Sequence, residues 1–381
     1  MRLEQCVWTR RDGWGGSPPA LLGDTVQLAL VFASNDVLRD GSALADVMAA
    51  YPRALLFGCS TAGEICDAQV HEESLVVTAV AFESVTLESA TIVLTEGCDS
   101  FGAGQQLARG LPTDGLVHAL VLSEGLNING SDLVRGLTET LPDHVTATGG
   151  LSGDGAGFTE TYVLVDGKPL RDAVAVVGLY GERLRVGYGS LGGWDPFGPE
   201  RVITRSAGNV LYELDGRSAL DLYKSYLGDQ AEGLPASGLL FPLSVRSGDS
   251  NGDDGVVRTI LAVDEAEHSM TFAGDIPEGA YARLMKANFD RLIDGAVGAA
   301  RTSYAASGSV EPQLALLISC VGRKLVLGQR VEEELEGVRD VLGSGTVMAG
   351  FYSYGEISPF TPGARCTLHN QTMTITTLSE L

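Results

Sequence analysis

The sequence predicts a mixed α/β protein of two domains, assembled from repeated strand–helix–strand–hairpin units with helices covering β-sheets. Three observations predict it. The composition is that of an ordinary globular chain, 44% hydrophobic and 20% charged over 381 residues. A segment of apolar strand, helix and second strand ending in a glycine turn occurs three times. After each turn the sequence becomes β-rich again. By length the chain holds about two to three domains, and 49 glycines point to many tight turns and close backbone approaches.

The first unit begins at Leu28, "LALVFASNDVLRDGSALADVMAAYPRALLFGCSTAGEI". It reads as a buried strand, a loop, a helix with Leu44, Val47 and Met48 on its apolar side, and a second strand ending at Gly58. The second unit, residues 118–155, runs from a strand at Ala119 to a turn at Gly150, Ser152, Gly153 and Gly155. Its helix starts near Ser131, the expected N-cap, and presents Leu133, Leu137 and Leu141. The third runs from Ala315 to Gly350 through the helix "QRVEEELEGVRDVL". The segments after the first and last turns also align: His71 with His369, Ser74 with Thr372, Leu75 with Met373, Thr78 with Thr376. Between the second and third units, residues 205–229 suggest two short helices and a domain boundary near Gly216. "VVRTILAVD" and "HSMTFAGDIPEG" suggest strands, and Glu278 to Ala306 suggests one helix, or two broken near Gly295.

Glycine turns at strand ends let the main chain pass close to a ligand. Successive N–H groups in such turns form anion-binding concavities, and open α/β sheets bind ligands beyond the carboxyl ends of their strands. The candidate site is therefore Gly58, Cys59, Ser60, Thr61, Gly63 and Glu64, with Gly150, Ser152, Gly153 and Asp154, and with Gly350, Tyr352, Gly355 and Glu356. These turns are expected to converge on one pocket. Backbone N–H groups would hold a carboxylate or similar anion, while Glu64 and Glu356 take an ammonium or organise the turns. Trp194 and Phe197, in "GGWDPFGPE", supply an aromatic wall or simply anchor their own loop. Arg258 faces the ligand or sits in an ion pair. The competing reading is that the glycines only let strands cross or bend.

The charge excludes some classes. Against 49 acidic residues stand 26 basic ones, a net charge of −23, which repels nucleic acid and anionic membranes. No 18-residue apolar run is present, and "MRLEQCVWTRRDGWGG" has no apolar core of a secretory signal. The cysteines at 6, 59, 66, 98, 320 and 366 form no CxxC, as expected of thiols in a reducing cytosol. The turns "GCSTAG" and "GLSGDG" do not have GxSxG spacing, and GxxxxGK[ST] is absent. A hydrolase using Cys59 or Ser60 stays open as an alternative. "DSNGDDG", with Asp249, Asn251 and Asp253, departs from a calcium loop in both its glycine and its twelfth position. Of five histidines, His268 falls in an acidic turn. His71, His118, His144 and His369 are the candidate haem ligands.

"GCSTAGEI", "GGLSGDG", "GGWDPFGP", "SALDLYKSYLG", "LMKANFDRLIDGA", "GFYSYGEISP" and "LHNQTMTI" together resemble the FIST family, from about Asp24 to the end of the chain. The resemblance implies a FIST N-terminal domain at 24–215 and a FIST C-terminal domain at 216–381, behind an extension at 1–23. It implies a non-enzymatic, cytoplasmic sensory module of signal transduction that binds a small molecule such as an amino acid. One branch of the family resembles haem-binding nitric-oxide sensors acting on a partner histidine kinase or cyclic-nucleotide enzyme, so haem is a candidate cofactor. The length leads us to expect a stand-alone sensor whose output passes to a separate signalling protein.

Overall fold

The computed structural model describes residues 1–16, 18–95, 99–247, 255–360 and 363–381. Cys98 and the Asp249, Asn251 and Asp253 loop lie outside the described residues. The fold is mixed α/β, as expected, and the three units are visible as three six-stranded sheets of the same plan. At the centre of each, the two strands of a unit pair in parallel: Leu28–Ala33 with Leu55–Ser60, Leu116–Ser123 with Thr146–Leu151, and Leu314–Cys320 with Val347–Ser353. The next strand of the same unit returns antiparallel on the first: Ser74–Ala81, Ala173–Tyr180 and Met373–Glu380. An earlier strand closes that edge: Arg2–Thr9, Thr86–Val93 and Leu184–Leu191.

The remaining two strands of each sheet come from another unit. The hairpin after the first turn, Glu64–Cys66 and Gln69–His71, pairs with Val347–Ser353 of the third unit. The hairpin after the second turn, Val163–Val165 and Lys168–Leu170, pairs with Leu55–Ser60 of the first. The hairpin after the third, Gly355–Pro359 and Cys366–His369, pairs with Thr146–Leu151 of the second. The units thus exchange hairpins in a closed cycle.

The sheets enclose a common apolar core to which each contributes. Phe32, Phe57, Leu120, Leu122, Ile318 and Phe351 meet there, with the Phe32 and Phe351 rings 4.8 Å apart. The helices lie outside. Gly130–Thr140 packs against Ser100–Arg109 on the second sheet, and Val331–Leu342 against Phe289–Ala306 on the third. Met48, expected on the buried side of its helix Ser42–Ala50, is 44% exposed, while Leu44 and Val47 are buried.

Between the second and third units stands a further sheet of nine strands. The first part of the expected helical region 205–229 belongs to a hairpin: Arg201–Ala207 and Val210–Leu214 join at Gly208, whose φ of 58° closes the turn. Only Ala219–Leu227 is helical in the expected region. Gly216 lies in the turn after Val210–Leu214, inside this sheet. The stretch 278–306 also divides differently. Tyr281–Lys286 is a strand whose alternate side chains Ala282 and Leu284 are buried. Phe289–Ala306 then runs helical through Gly295 without a break. A Cβ on Gly295 would stand 1.7 Å from the Gly192 carbonyl oxygen, so this glycine is there for contact, not for a kink. Asn129, not Ser131, caps the second unit's helix, accepting from the N–H groups of Ser131 and Asp132.

Candidate functional site

The strand pairing fixes which turn residues correspond. Gly58 stands opposite Val31, Gly149 opposite Val121, and Gly350 opposite Leu317. At each, a Cβ would fall 1.7–1.8 Å from that partner's carbonyl oxygen. Gly149, rather than the expected Gly150, is therefore the equivalent glycine. Gly150 corresponds to Cys59 and Phe351 and faces the common core, where Ile318 and Phe351 occupy the space of its missing side chain.

The three turns do converge, but on one another. The Ala62 N–H donates to the Tyr352 carbonyl at 2.8 Å, the Tyr354 N–H to Leu151 at 3.2 Å, and the Gly153 N–H to Ser60 at 3.0 Å. This ring of main-chain bonds uses the very N–H groups that were expected to cradle an anion. The cavity beside this ring is lined by the first and second turns and by no residue of the third among those described.

Glu64 and Glu356 organise their turns. The Thr61 hydroxyl donates to Glu64 Oε1 and the Ser74 hydroxyl to Oε2 at 2.6 Å. In the third unit the Ser353 hydroxyl donates to Glu356 Oε1 at 2.6 Å, and the Thr372 N–H and hydroxyl donate to Oε2 at 3.1 and 3.0 Å. Both carboxyls are fully buried. Burial, outweighing the hydroxyl donors, pushes Glu64 up to about 7 and Glu356 up to about 8. The second unit has Gly155 at this place and no such carboxyl. Its Asp154 instead gathers the following loop, accepting from the N–H groups of Phe158, Thr159 and Glu160 and from the Tyr354 hydroxyl. Those donors hold it below the ordinary carboxylate range despite burial.

Several candidates are packed away. Cys59 is 0% exposed and desolvation raises its thiol well above the ordinary range. The Ser60 hydroxyl accepts from the Tyr162 N–H, and the Ser152 hydroxyl donates to the Ser123 carbonyl. Both Cys59 and Ser60 are fully buried. Tyr352 is buried and donates to Glu334 at 2.8 Å. Trp194 is buried, its indole N–H bonded to the Gln371 carbonyl at 3.1 Å. It lines a separate cavity of about 250 Å³ with Met285, His369 and Thr372. Phe197 is 43% exposed.

A cavity of about 420 Å³ opens beside the ring, where the first and second turns meet the third unit's helix Val321–Leu327. Thr61, Ala62, Gly63 and Glu64 form one wall, Asp154 and Gly155 another. Lys324 reaches in from that helix, donating to the Ala62 carbonyl at 2.7 Å and pairing with Glu72 at 2.5 Å. Opposite stand Ser34, Asn35, Asp36 and Arg39, just beyond the carboxyl end of the strand Leu28–Ala33. Ser34 Oγ and Asn35 Oδ1 are buried there with no hydrogen-bond partner among the described residues. Sequence reasoning did not single out Ser34, Asn35 or Lys324. The available signal was their place immediately after a buried parallel strand.

Of the four candidate haem ligands, His118 and His369 have ring nitrogens in hydrogen-bond contact with the protein. Both ring nitrogens of His118 are engaged, at 2.7 Å with Thr146 and 2.9 Å with Thr148, inside a sheet. His144 is exposed. His71 is half-buried opposite Glu64 in the exchanged hairpin. His369 Nε2 lies 2.9 Å from the Ser358 carbonyl oxygen and 3.1 Å from the Thr367 hydroxyl, with Phe360 stacked on the ring.

Fold and site define a mixed α/β module of three hairpin-exchanging units with polar cavities between them. The FIST N domain matches residues 27–217 and the FIST C domain residues 219–359. The chain belongs to the FIST family, whose domains are associated with small-ligand sensing in signal transduction. It is 25% identical over 207 residues to the uncharacterized protein MJ1623 of Methanocaldococcus jannaschii, covering 50% of this chain and 38% of that one. The chain thus spans well under two thirds of that relative. Among solved structures, cyanuric acid hydrolase from A. caulinodans is similar over 100% of this chain and 98% of its own, with TM-score 0.41 and 8% identity. A second cyanuric acid hydrolase covers 100% and 99%, with TM-score 0.30 and 10% identity. Likeness at that level brings neither a reaction nor a residue role to this chain. No helix among the described residues is long and apolar enough to cross a membrane.

Proposed function

We propose that the protein is a cytoplasmic sensory module whose ligand, a small molecule of amino-acid size and polarity, occupies the 420 Å³ cavity between the first and second turns. One observation carries this reading: Ser34 and Asn35 line that cavity, and their Oγ and Oδ1 atoms are buried with no hydrogen-bond partner among the described residues. A buried polar atom without a partner costs about 1–3 kcal/mol, and a ligand that bonds both atoms removes the cost. Asn35 Oδ1 can only accept, so it calls for an N–H donor such as an ammonium. Asp36, Glu72 and Glu73 at the walls favour the same charge, while Arg39 and Lys324 supply donors for a carboxylate. The five described cysteines are all free thiols, in keeping with a reducing compartment. In this reading the occupied state is recognised by a separate signalling protein.

The test is a thermal-shift screen of the standard amino acids and related small amines. A ligand that binds only the native state raises the melting temperature with its concentration. At least one amino acid should do so, and Ser34→Ala should weaken its effect by about one hydrogen bond, roughly five- to tenfold in affinity. A screen without a hit, or a shift that Ser34→Ala leaves unchanged, would remove the cavity from consideration.

A further inference from the structure

A second cavity, of about 480 Å³, lies where the nine-stranded sheet meets the second unit's helix Gly130–Thr140 and the exchanged strand Cys366–His369. It shares no lining residue with the first. Four arginines line it, Arg135, Arg246, Arg258 and Arg365, against two carboxylates, Glu139 and Asp275. Arg246 pairs with Glu200 at 2.6 Å, Arg135 with Asp132 at 2.6 Å and Arg365 with Asp143 at 4.0 Å.

Arg258 is the informative member. It is only 8% exposed. Its guanidinium donates to the Asp275 carbonyl at 3.1 Å, the Leu368 carbonyl at 3.0 Å and the Ser131 hydroxyl at 3.4 Å. All three acceptors are neutral. The nearby Asp275 carboxylate is directed elsewhere: Oδ1 accepts from Asn129 at 2.7 Å and Oδ2 faces Arg135 at 4.0 Å. The Asp275 carboxylate acts on it only through space, and burial outweighs that attraction and pulls this guanidinium down to about 10. The position is also kept clear. A Cβ on Gly274 would stand 3.1 Å from the guanidinium carbon and 2.5 Å from Ser131 Oγ. An ion pair, the simpler expectation for Arg258, is not what the fold provides.

We propose that this cavity binds a small dianion, a phosphate or dicarboxylate group, with Arg258 as the buried anchor and Arg135 and Arg365 contacting the ligand from the solvent side. Planar guanidinium forks match the paired oxygens of both groups. The walls come from both matched segments, Arg135 from the FIST N domain and Arg258 from the FIST C domain. A ligand there joins the two.

The test is titration calorimetry on the full chain with sodium phosphate and, separately, sodium succinate, at an ionic strength fixed with chloride. At least one should bind saturably; phosphate alone would identify a tetrahedral oxyanion site, succinate alone a dicarboxylate site. Arg258→Gln should weaken that binding at least about tenfold, the loss expected for one charge-assisted fork. Arg135→Gln and Arg365→Gln, both on solvent-facing side chains, should weaken it severalfold and decide the matter if the buried variant does not fold. Glu139→Gln should tighten it, a change that no purely structural role predicts. Absence of saturable binding by either anion, or wild-type affinity in the Arg135 and Arg365 variants, overturns the proposal.

Discussion

Glu64 and Glu356 each replace what would be an apolar position with a carboxyl hydrogen-bonded on both oxygens and shut away from water. Their folded-state values, about 7 and about 8, lie above the ordinary 4.5. The sign follows directly: the protonated form is favoured on folding, so their contribution is complete below about 4.5 and is lost as pH rises through 7 to 8. The melting temperature should therefore fall between about pH 4.5 and 8 and level off above. Glu356→Gln, which keeps the shape and can accept from Thr372 through its one oxygen while its NH2 donates to the Ser353 hydroxyl, should flatten that fall; an unchanged pH profile would show that Glu356 is ionised throughout. Cys59 offers a second check. Sealed in the common core, its thiol should resist alkylation in the native protein and react only after unfolding. At this scale the pairing of Ser74 with Thr372, and of Glu64 with Glu356, was legible because each pair recurs in the same local pattern. The choice between Gly149 and Gly150 was not, since only the pairing of Val121 with Gly149 distinguishes neighbouring glycines.

The parallel strand pairs depend on glycine at one position each. Replacing Gly58, Gly149 or Gly350 with alanine drives a methyl into the carbonyl of the adjoining strand, and no rotamer can relieve a backbone clash. Each variant should lose upward of about 3 kcal/mol, measured by urea denaturation. Gly155 is the contrast. Its φ is 78° and nothing lies within 4 Å of its Cβ position, so alanine there should cost only the left-handed strain, about 1–2 kcal/mol. Equal losses at Gly58 and Gly155 would contradict this account. Strand–helix–strand order was readable because apolar runs and a 3.6-residue period are local signals. The hairpin at 201–214 and the strand at 281–286 were not, because their apolar residues fit a helix as well as a strand until partner strands decide. Gly295 misled for a related reason: its contact, the Gly192 carbonyl, is remote in sequence.

Over the whole molecule, hairpin exchange removes independence. The first unit lacks a complete sheet without the second's hairpin, and the third lacks one without the first's. Unfolding in urea should therefore be a single transition, with tryptophan fluorescence and far-ultraviolet circular dichroism coinciding. Two separated transitions would mean that the units stand alone. Which unit completes which sheet could not be read from the sequence, because the exchanged hairpins are only three to five residues per strand and carry no signal of their partner.

The ring of three N–H to carbonyl bonds is drawn entirely from the main chain. Such a joint does not depend on which side chains surround it. Ala62, Gly153 and Tyr354 occupy equivalent places and differ in every respect except the amide they contribute. Descendants of one duplicated ancestor can therefore diversify at this junction, one turn recruiting a carboxyl, another gathering a loop, without disturbing the frame that aligns them. Evolvability at the turns and rigidity at the axis have the same origin.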